Sequence, residues 1–472
     1  MPGLSLICNF REDLRQKENR ILQALDSTVH FRHYKRKILL HEQAYFLGCT
    51  VYDGYPVALY ESEAFLIYLE GRVYGEDESA LGRQLVNLAQ SISQNVDREG
   101  RNINKWLMNA DGDFIIFLFH RKLPEMYIIN DVFSRLPLYY YSTNEQFLIS
   151  RDIEFISSFI KNKEFDKMGI AQYLLFSYPL GKRTLLRNVF RLAPASLIKI
   201  DLNRAQIEME DMHDFNFDEK IHSEKSVKEN ADNLVDLLSN SCRNRDNSGN
   251  GYKNILSLSG GLDSRSVGAC LQRSNIHFSG VTFLDFNRTA KLDVEIARQV
   301  ANIFRIEWNI FELSPPRGKD ILQLLRMKSS SNCLSMSFIL PFFEKIKEIY
   351  NQKITFFTGD GGDKLFPDLR PERKLHNIED LVNYIIQYNQ VFSIERVAAL
   401  TGIRKKEIID EVRERLLFYP EKELSQKYVH FIFYERGFKW LFEGEDRNRL
   451  GCLNRPISLD RFLDLSDLLE IQ

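Results

Sequence analysis

The sequence has few cysteines, no long apolar run and almost no net charge. Its six cysteines are scattered among 472 residues without a Cys-x-x-Cys pair, which favours reduced thiols over a disulfide framework or a zinc site. No apolar run approaches the roughly 20 residues of a transmembrane helix, and no basic-then-apolar leader is present. A net charge of −2 gives no electrostatic basis for nucleic-acid binding. We therefore expect a cytoplasmic protein that binds neither nucleic acid nor a membrane.

The chain is long enough for two domains with separate cores. The first two hundred residues contain many short apolar runs, such as Phe65-Leu-Ile-Tyr-Leu69, separated by turn residues. This pattern is typical of a sheet-rich α+β domain. A polar stretch from about Asp201 to Asn230 is the predicted linker. We therefore predict domains at 1–215 and 216–472.

The second half alternates between strand-like and helical patterns. Strand-like runs near Ile255, Val281 and Ile354 are separated by segments with helical spacing, and residues 378–417 and 427–442 are helical in period. Strands that alternate with helices indicate an α/β domain with a doubly wound parallel sheet.

The most informative stretch is Ser259-Gly260-Gly261-Leu262-Asp263-Ser264, which follows an apolar run at 255–258. Paired glycines between a strand and a helix predict a loop that offers unpaired backbone N–H groups to a phosphate. A carboxylate beside a phosphate requires a divalent cation between them, and Mg²⁺ is bound by carboxylates and phosphate oxygens. No lysine follows, so this is not the Gly-x-x-x-x-Gly-Lys-Ser/Thr loop. A generic glycine-rich turn is the alternative interpretation.

A second glycine-rich loop follows the strand-like run at 353–358. It reads Gly359-Asp-Gly-Gly-Asp-Lys-Leu-Phe366 and places Asp360 and Asp363 after the strand. The carboxyl ends of neighbouring strands form the ligand crevice of an open α/β sheet. Asp263 and Asp363 are therefore predicted to face the same Mg²⁺.

The two loops resemble the synthetase domain of the asparagine synthetase B-like family, whose pattern is Ser-Gly-Gly-x-Asp-Ser and later Gly-Glu/Asp-Gly-x-Asp-Glu-Leu-Phe. The resemblance extends over almost the whole chain. Further motifs that are similar to the family's are Asp111-Gly-Asp-Phe114, Asn130-Asp131, Leu136-Pro-Leu-Tyr-Tyr140, Ser150, Gly181–Thr184, Arg191–Pro194, Asp446-Arg447 and Arg455–Asp460. The family implies an N-terminal Ntn-hydrolase-like glutamine amidotransferase domain and a C-terminal ATP pyrophosphatase (PP-loop) domain.

The resemblance implies an ATP- and Mg²⁺-dependent, AMP-forming amidoligase that activates a carboxylate. The residues implied to bind ATP are Leu258, Ser259, Gly260, Gly261, Asp263, Ser264, Thr282, Thr358 and Gly359, with Leu258 and Thr282 flanking the adenine through backbone groups. Asp263 and Asp363 would bind Mg²⁺. Asp360 would accept a proton from the attacking amine, unless it only bonds to its own loop. Asp293 matches a family position, although capping a helix is a commoner role for such a residue.

The N-terminal half departs from the family at its glutaminase site. Family glutaminases use a cysteine directly after the initiator methionine, whereas this chain begins Met1-Pro2-Gly3, and Cys8 lies too far along the strand. The family's Asn-Gly-Glu turn is replaced by Glu70-Gly71-Arg72. We therefore expect no glutamine hydrolysis, as in the β-lactam synthetases and lasso-peptide cyclases, where an amine of the same molecule attacks the adenylate.

A second departure concerns positive charge at the adenylate. The family carries a lysine beyond its Pro-Phe-Leu-Asp stretch, but here the last lysine, Lys439, precedes that stretch. Lys364 is the candidate replacement, together with the arginines at 447, 449, 455 and 461. Three functions stay open. One is a ligase that acts on an amino acid or peptide carboxylate with a separate amine donor or a precursor peptide. The others are an intramolecular cyclase of the lasso-peptide or β-lactam type and a nucleotide-binding relative without turnover.

Overall fold

The computed structural model describes residues 2–94, 101–212, 226–327, 337–359 and 371–435, and the statements below concern those residues. The chain divides into two compact units. The first comprises residues 1–216 together with Val382–Phe418, and the second comprises Phe217–Leu381 together with residues 419–472.

The first unit is built on two six-stranded sheets in which all paired strands are antiparallel. Its strands are β1 Gly3–Asn9, β2 Lys35–His41, β3 Tyr45–Val51, β4 Val57–Glu61, β5 Phe65–Val73, β6 Gly112–His120, β7 Glu125–Asn130, β8 Tyr139–Ser142, β9 Gln146–Ser150, β10 Phe190–Arg191, β11 Ser196–Asp201 and β12 Gln206–Asp211. The sheets have the orders β10-β8-β9-β1-β3-β2 and β12-β11-β7-β6-β5-β4.

Alternating side chains bury both faces of each sheet. On β6, Phe117 joins the core shared by the two sheets, whereas its neighbour Ile116 joins the core on the outer face. Side chains of a strand point alternately to its two faces, so these apolar runs need cover on both sides. The cover comes from α1 (Glu18–Asp26) and α4 (Ile153–Ser157) on one sheet, and from α2 (Glu78–Ser93) and α3 (Arg101–Asn109) on the other.

The second unit contains a four-stranded parallel sheet. The last helix of the first unit before this sheet is α5, Lys167–Phe176. The elements of the second unit up to the end of its sheet are α6 Val227–Arg245, β13 Lys253–Ser257, α7 Leu262–Arg273, β14 Ser279–Leu284, α8 Lys291–Phe304, β15 Trp308–Glu312, α9 Gly318–Met327, α10 Ile339–Tyr350 and β16 Ile354–Thr358. The sheet order is β15-β14-β13-β16, and every pair is parallel. The chain moves outward from β13 to β15 and then returns to the other side of β13, which is doubly wound topology. The predicted fold classes of both halves are confirmed.

The chain returns to the first unit after β16. The last helices are α11 Ile378–Asn389, α12 Ile394–Thr401, α13 Lys405–Phe418 and α14 Leu424–Phe431. The backbone N–H of Val391 donates to the carbonyl of Leu175 in α5 at 2.7 Å. Arg183 donates to Asp166 and to Glu411 of α13, both at 2.9 Å. The segment Val382–Phe418 is therefore an integral part of the first unit.

No helix in the described ranges is both long and apolar enough to cross a membrane.

Candidate functional site

The loop after β13 is held in shape by two serines. The backbone N–H of Ser259 donates to Ser264 Oγ at 3.0 Å, and the two hydroxyl oxygens lie 3.0 Å apart. The N–H of Gly261 donates to Ser259 Oγ at 3.1 Å. Ser264 is 3% exposed, so its hydroxyl sits beneath the loop. Both hydroxyls thus fix the loop's backbone in this structure, and their contact with phosphate stays a prediction.

The helix that follows the loop begins without a side-chain cap. Gly261 is the N-cap of α7 and supplies no side-chain acceptor. The first N–H groups of a helix have no partner within it, and the helix dipole adds positive potential at the same end. Asp263 lies half-buried in this first turn. An anion together with a divalent cation therefore suits this place, because Mg²⁺ is held by one or two carboxylates with phosphate oxygens and water.

Gly359 brings the end of β16 onto the start of α7. Ser257 and Thr358 are partners in the parallel pair β13 and β16, so both strands end at the same edge. A Cβ atom at position 359 would lie 2.7 Å from the carbonyl carbon of Asp263 and 2.7 Å from Ser264 Cα. Only glycine permits this approach. The second predicted loop thus begins in contact with the first, while Asp360, Asp363 and Lys364 lie outside the described residues.

Leu258 and Thr282 are joined through the threonine hydroxyl. Thr282 Oγ1 donates to the carbonyl of Leu258 at 2.6 Å and accepts from Trp308 Nε1 at 2.8 Å. The N–H of Leu258 donates to the carbonyl of Val281 at 2.8 Å. The N–H of Leu258 is therefore used within the sheet, and its carbonyl oxygen keeps one lone pair for a ligand. No pattern in the sequence points to Trp308, because its contact with Thr282 depends on the pairing of neighbouring strands.

Asp293 does not cap α8. The N-cap of that helix is Ala290, and Asp293 lies in the first turn. Its Oδ1 atom is 2.5 Å from the position that a Cβ atom on Gly260 would occupy. The start of α8 therefore packs directly against the phosphate loop, and a side chain at position 260 would separate them.

In the first unit, a buried ion pair lies beside the start of β1. Arg151 donates to Glu70, and both side chains are almost fully buried. Glu70 also accepts from the N–H of Leu4 at 2.8 Å and from the Tyr55 hydroxyl. Gly3 has φ +135°, and a Cβ atom there would lie 2.6 Å from Glu70 Oε1. The side chains of Glu70 and Arg151 therefore lie directly against Gly3 and Leu4.

Cys8 is unsuited to act as a nucleophile. Its side chain is fully buried, with Sγ 3.5 Å from Met126 Sδ, and burial raises the pKa of the thiol. A protonated, inaccessible thiol is inert, because the thiolate is the reactive form. Cys49, Cys242 and Cys270 are also buried and free, as the sequence predicts.

The two halves of the chain match two different protein families. Residues 63–212 match the family described as glutamine amidotransferase domain, and residues 253–427 match the family described as asparagine synthase. A curated relative, asparagine synthetase [glutamine-hydrolyzing] 1 of Bacillus subtilis (strain 168), is 23% identical over 321 residues, which cover 66% of this chain and 49% of that protein. The chain thus spans about half the length of this relative.

Two solved structures are also similar to the chain. Glutamine phosphoribosylpyrophosphate amidotransferase of B. subtilis, complexed with ADP and GMP, is 10% identical with a TM-score of 0.28, and the match covers 90% of this chain and 94% of that one. NMN synthetase of Francisella tularensis is 13% identical with a TM-score of 0.22, and the match covers 44% of this chain and 93% of that one.

Proposed function

Since the chain belongs to the asparagine synthetase-like family, we propose that it is an ATP- and Mg²⁺-dependent ligase that activates a carboxylate and converts it to an amide. In this proposal the loop from Ser259 to Gly261 and the first turn of α7 bind the β- and γ-phosphates. The carboxylate attacks the α-phosphorus, and pyrophosphate leaves. An amine then attacks the acyl carbon and displaces AMP.

The observation that carries the proposal is the contact between Gly359 and the start of α7. A lone Ser-Gly-Gly loop is compatible with many nucleotide-binding proteins. A second carboxylate-rich loop that begins against the first supports the pyrophosphate-releasing chemistry of this family, because both loops would then reach one metal and one triphosphate. We propose that Asp263 and Asp363 hold Mg²⁺, which would supply neutralising charge for the leaving group.

Amide formation also requires a base and an amine. We propose Asp360 as the group that accepts the proton of the attacking amine, and Lys364 as a source of positive charge. The amine would come from free ammonia, from a separate donor or from the substrate itself. The carboxylate would belong to an amino acid or to a peptide.

We propose that the N-terminal domain does not hydrolyse glutamine. The buried pair of Glu70 and Arg151 supports this view because the Glu70 carboxylate, in the segment that replaces the family's Asn-Gly-Glu turn, is already bound to Arg151, Leu4 and Tyr55. Cys8 is buried, and burial raises the pKa of its thiol. We retain residue 215 as the proposed end of this domain in the sequence. Incubation with glutamine should release no glutamate, and steady glutamate release would contradict the proposal.

The ligase activity is tested by following the products from ATP. The full-length protein is incubated with ATP, Mg²⁺, ammonium and a panel of amino acids and short peptides. AMP and pyrophosphate should appear in equal amounts with at least one acid, whereas ADP with inorganic phosphate would refute the mechanism. ATP binding without pyrophosphate release over the whole panel would favour the alternative, a nucleotide-binding relative without turnover.

A further inference from the structure

Arg265 folds back over the phosphate loop. It follows Ser264 directly and lies one turn into α7, where its Nε donates to the carbonyl of Gly261 at 3.2 Å. Arg265 is half-buried as a residue. Helical side chains lean toward the helix N-terminus, so this position directs the guanidinium at the loop rather than along the helix. Arginine has five donors, and the contact with Gly261 uses only the one on Nε.

The charge of Arg265 is unfavourable where it stands. A cation at a helix N-terminus opposes the helix dipole. Within the described ranges, no carboxylate oxygen lies within 4.0 Å of this guanidinium. By contrast, Arg273 at the other end of α7 is paired with Asp236 at 3.2 Å, and Arg298 of α8 is paired with Glu295 at 2.6 Å. The positive end of α7 therefore carries the additional positive charge of Arg265. A bound oxyanion would neutralise this charge and interact favourably with the helix dipole.

We propose that Arg265 binds the pyrophosphate portion of ATP. The inference rests on the proposed function and adds to it a residue that holds the leaving group. Its two Nη groups donate to oxygens of the β- and γ-phosphates, while Nε stays on Gly261. When the bond from the carboxylate oxygen to the α-phosphorus forms, the bond from that phosphorus to the bridging oxygen breaks, and pyrophosphate retains the electron pair. Arg265 keeps its proton throughout and stabilises the charge that develops.

A purely structural role makes a different prediction. If Arg265 only satisfied the Gly261 carbonyl, removing its charge would disturb the loop and weaken every nucleotide ligand alike. A pyrophosphate-binding role separates the ligands by their phosphates, because AMP lacks the two phosphates that Arg265 would contact. Binding of pyrophosphate and of AMP to the same variants therefore distinguishes the two roles.

The experiment is isothermal titration of the full-length protein with ATP, with pyrophosphate and with AMP, each in excess Mg²⁺. Arg265→Gln should weaken pyrophosphate binding about tenfold to a hundredfold, as for loss of hydrogen bonds to a charged group, and leave AMP binding unchanged. Arg265→Lys should retain part of the affinity. The matched control, Arg273→Gln, removes a cation from the same helix and should bind all three ligands normally.

Three outcomes would overturn the inference. If Arg265→Gln binds pyrophosphate as the wild type does, or loses pyrophosphate and AMP affinity equally, Arg265 has no specific phosphate role. If the wild type binds ATP in either case, the proposed function survives. A wild type that binds neither ATP nor pyrophosphate would refute the proposed function itself.

Discussion

Removing Arg151 should destabilise the first unit more than any surface substitution. Arg151→Met leaves the Glu70 carboxylate, which is 0% exposed, with only the N–H of Leu4 and the Tyr55 hydroxyl as donors. It also removes the donor of the Pro137 carbonyl, which accepts from Arg151 Nε at 2.9 Å. Breaking a buried ion pair by removing one partner costs about 3–5 kcal/mol, because the remaining charge is neither solvated nor paired. We expect a loss in that range.

The loss can be measured locally by hydrogen exchange with mass spectrometry. Amides of β1 and β5 should exchange between about a hundredfold and several thousandfold faster in Arg151→Met, which is 3–5 kcal/mol at about 1.4 kcal/mol per tenfold. Amides of β13 serve as the internal control and should be unaffected by the change. In the double variant Glu70→Gln/Arg151→Met no charge is left unpaired, so it should lose less stability than the two single variants combined. A loss below about 1 kcal/mol in the single variant, or strict additivity, would refute the argument.

Three further predictions concern the second unit and its dependence on the first. Asp263→Asn should weaken Mg²⁺-dependent ATP binding about tenfold or more, because a neutral amide is a poor ligand for this cation, and isothermal titration at varied Mg²⁺ checks this. Gly359→Ala should lower the stability of the second unit by about 1–3 kcal/mol and weaken ATP binding, because its Cβ would meet α7. The control is Gly318→Ala, where nothing lies within 4 Å of the new Cβ, and it should change neither stability nor ATP binding. Thermal unfolding measures the stability, and isothermal titration measures the binding. The fragment Asp218–Gln472 should aggregate, because α12 and α13 would lose their contacts with α5 and the rest of the first unit. Size-exclusion chromatography measures its oligomeric state. A monomeric fragment with normal ATP affinity would contradict the prediction.

Local patterns in the sequence were sufficient for the elements and the first loop. Apolar runs bounded by turn residues marked the strands, and the glycine pair after residue 258 marked the change from strand to helix at the observed place. These features depend on short-range physics: glycine conformation, strand alternation and the unpaired donors of a helix terminus. Arg265 was also within reach, since it directly follows the loop, but only the structure gives the direction of its side chain.

Contacts between distant segments could not be predicted in the same way. The helical period of residues 378–417 was evident, but their packing against the first unit depends on such pairs as Arg183 and Glu411, which are 228 residues apart. The hydrogen bonds that join Trp308, Thr282 and Leu258 likewise require the order of the strands. Such contacts leave no periodic signal in the sequence, because each depends on the packing of complete elements.

The return of the chain to the first unit has a consequence for its synthesis. The helix α5 leaves the ribosome 225 residues before the end of α12, the partner that packs on it, counting from Phe176 to Thr401. At about 5–20 residues per second, this surface waits about 11–45 s for its partner, a period in which the whole parallel sheet is made. The first unit therefore cannot complete its folding before residues 382–418 have been synthesised, after most of the second unit. We expect a nascent chain that is arrested before residue 382 to engage chaperones, and one that extends beyond Phe418 to be released from them.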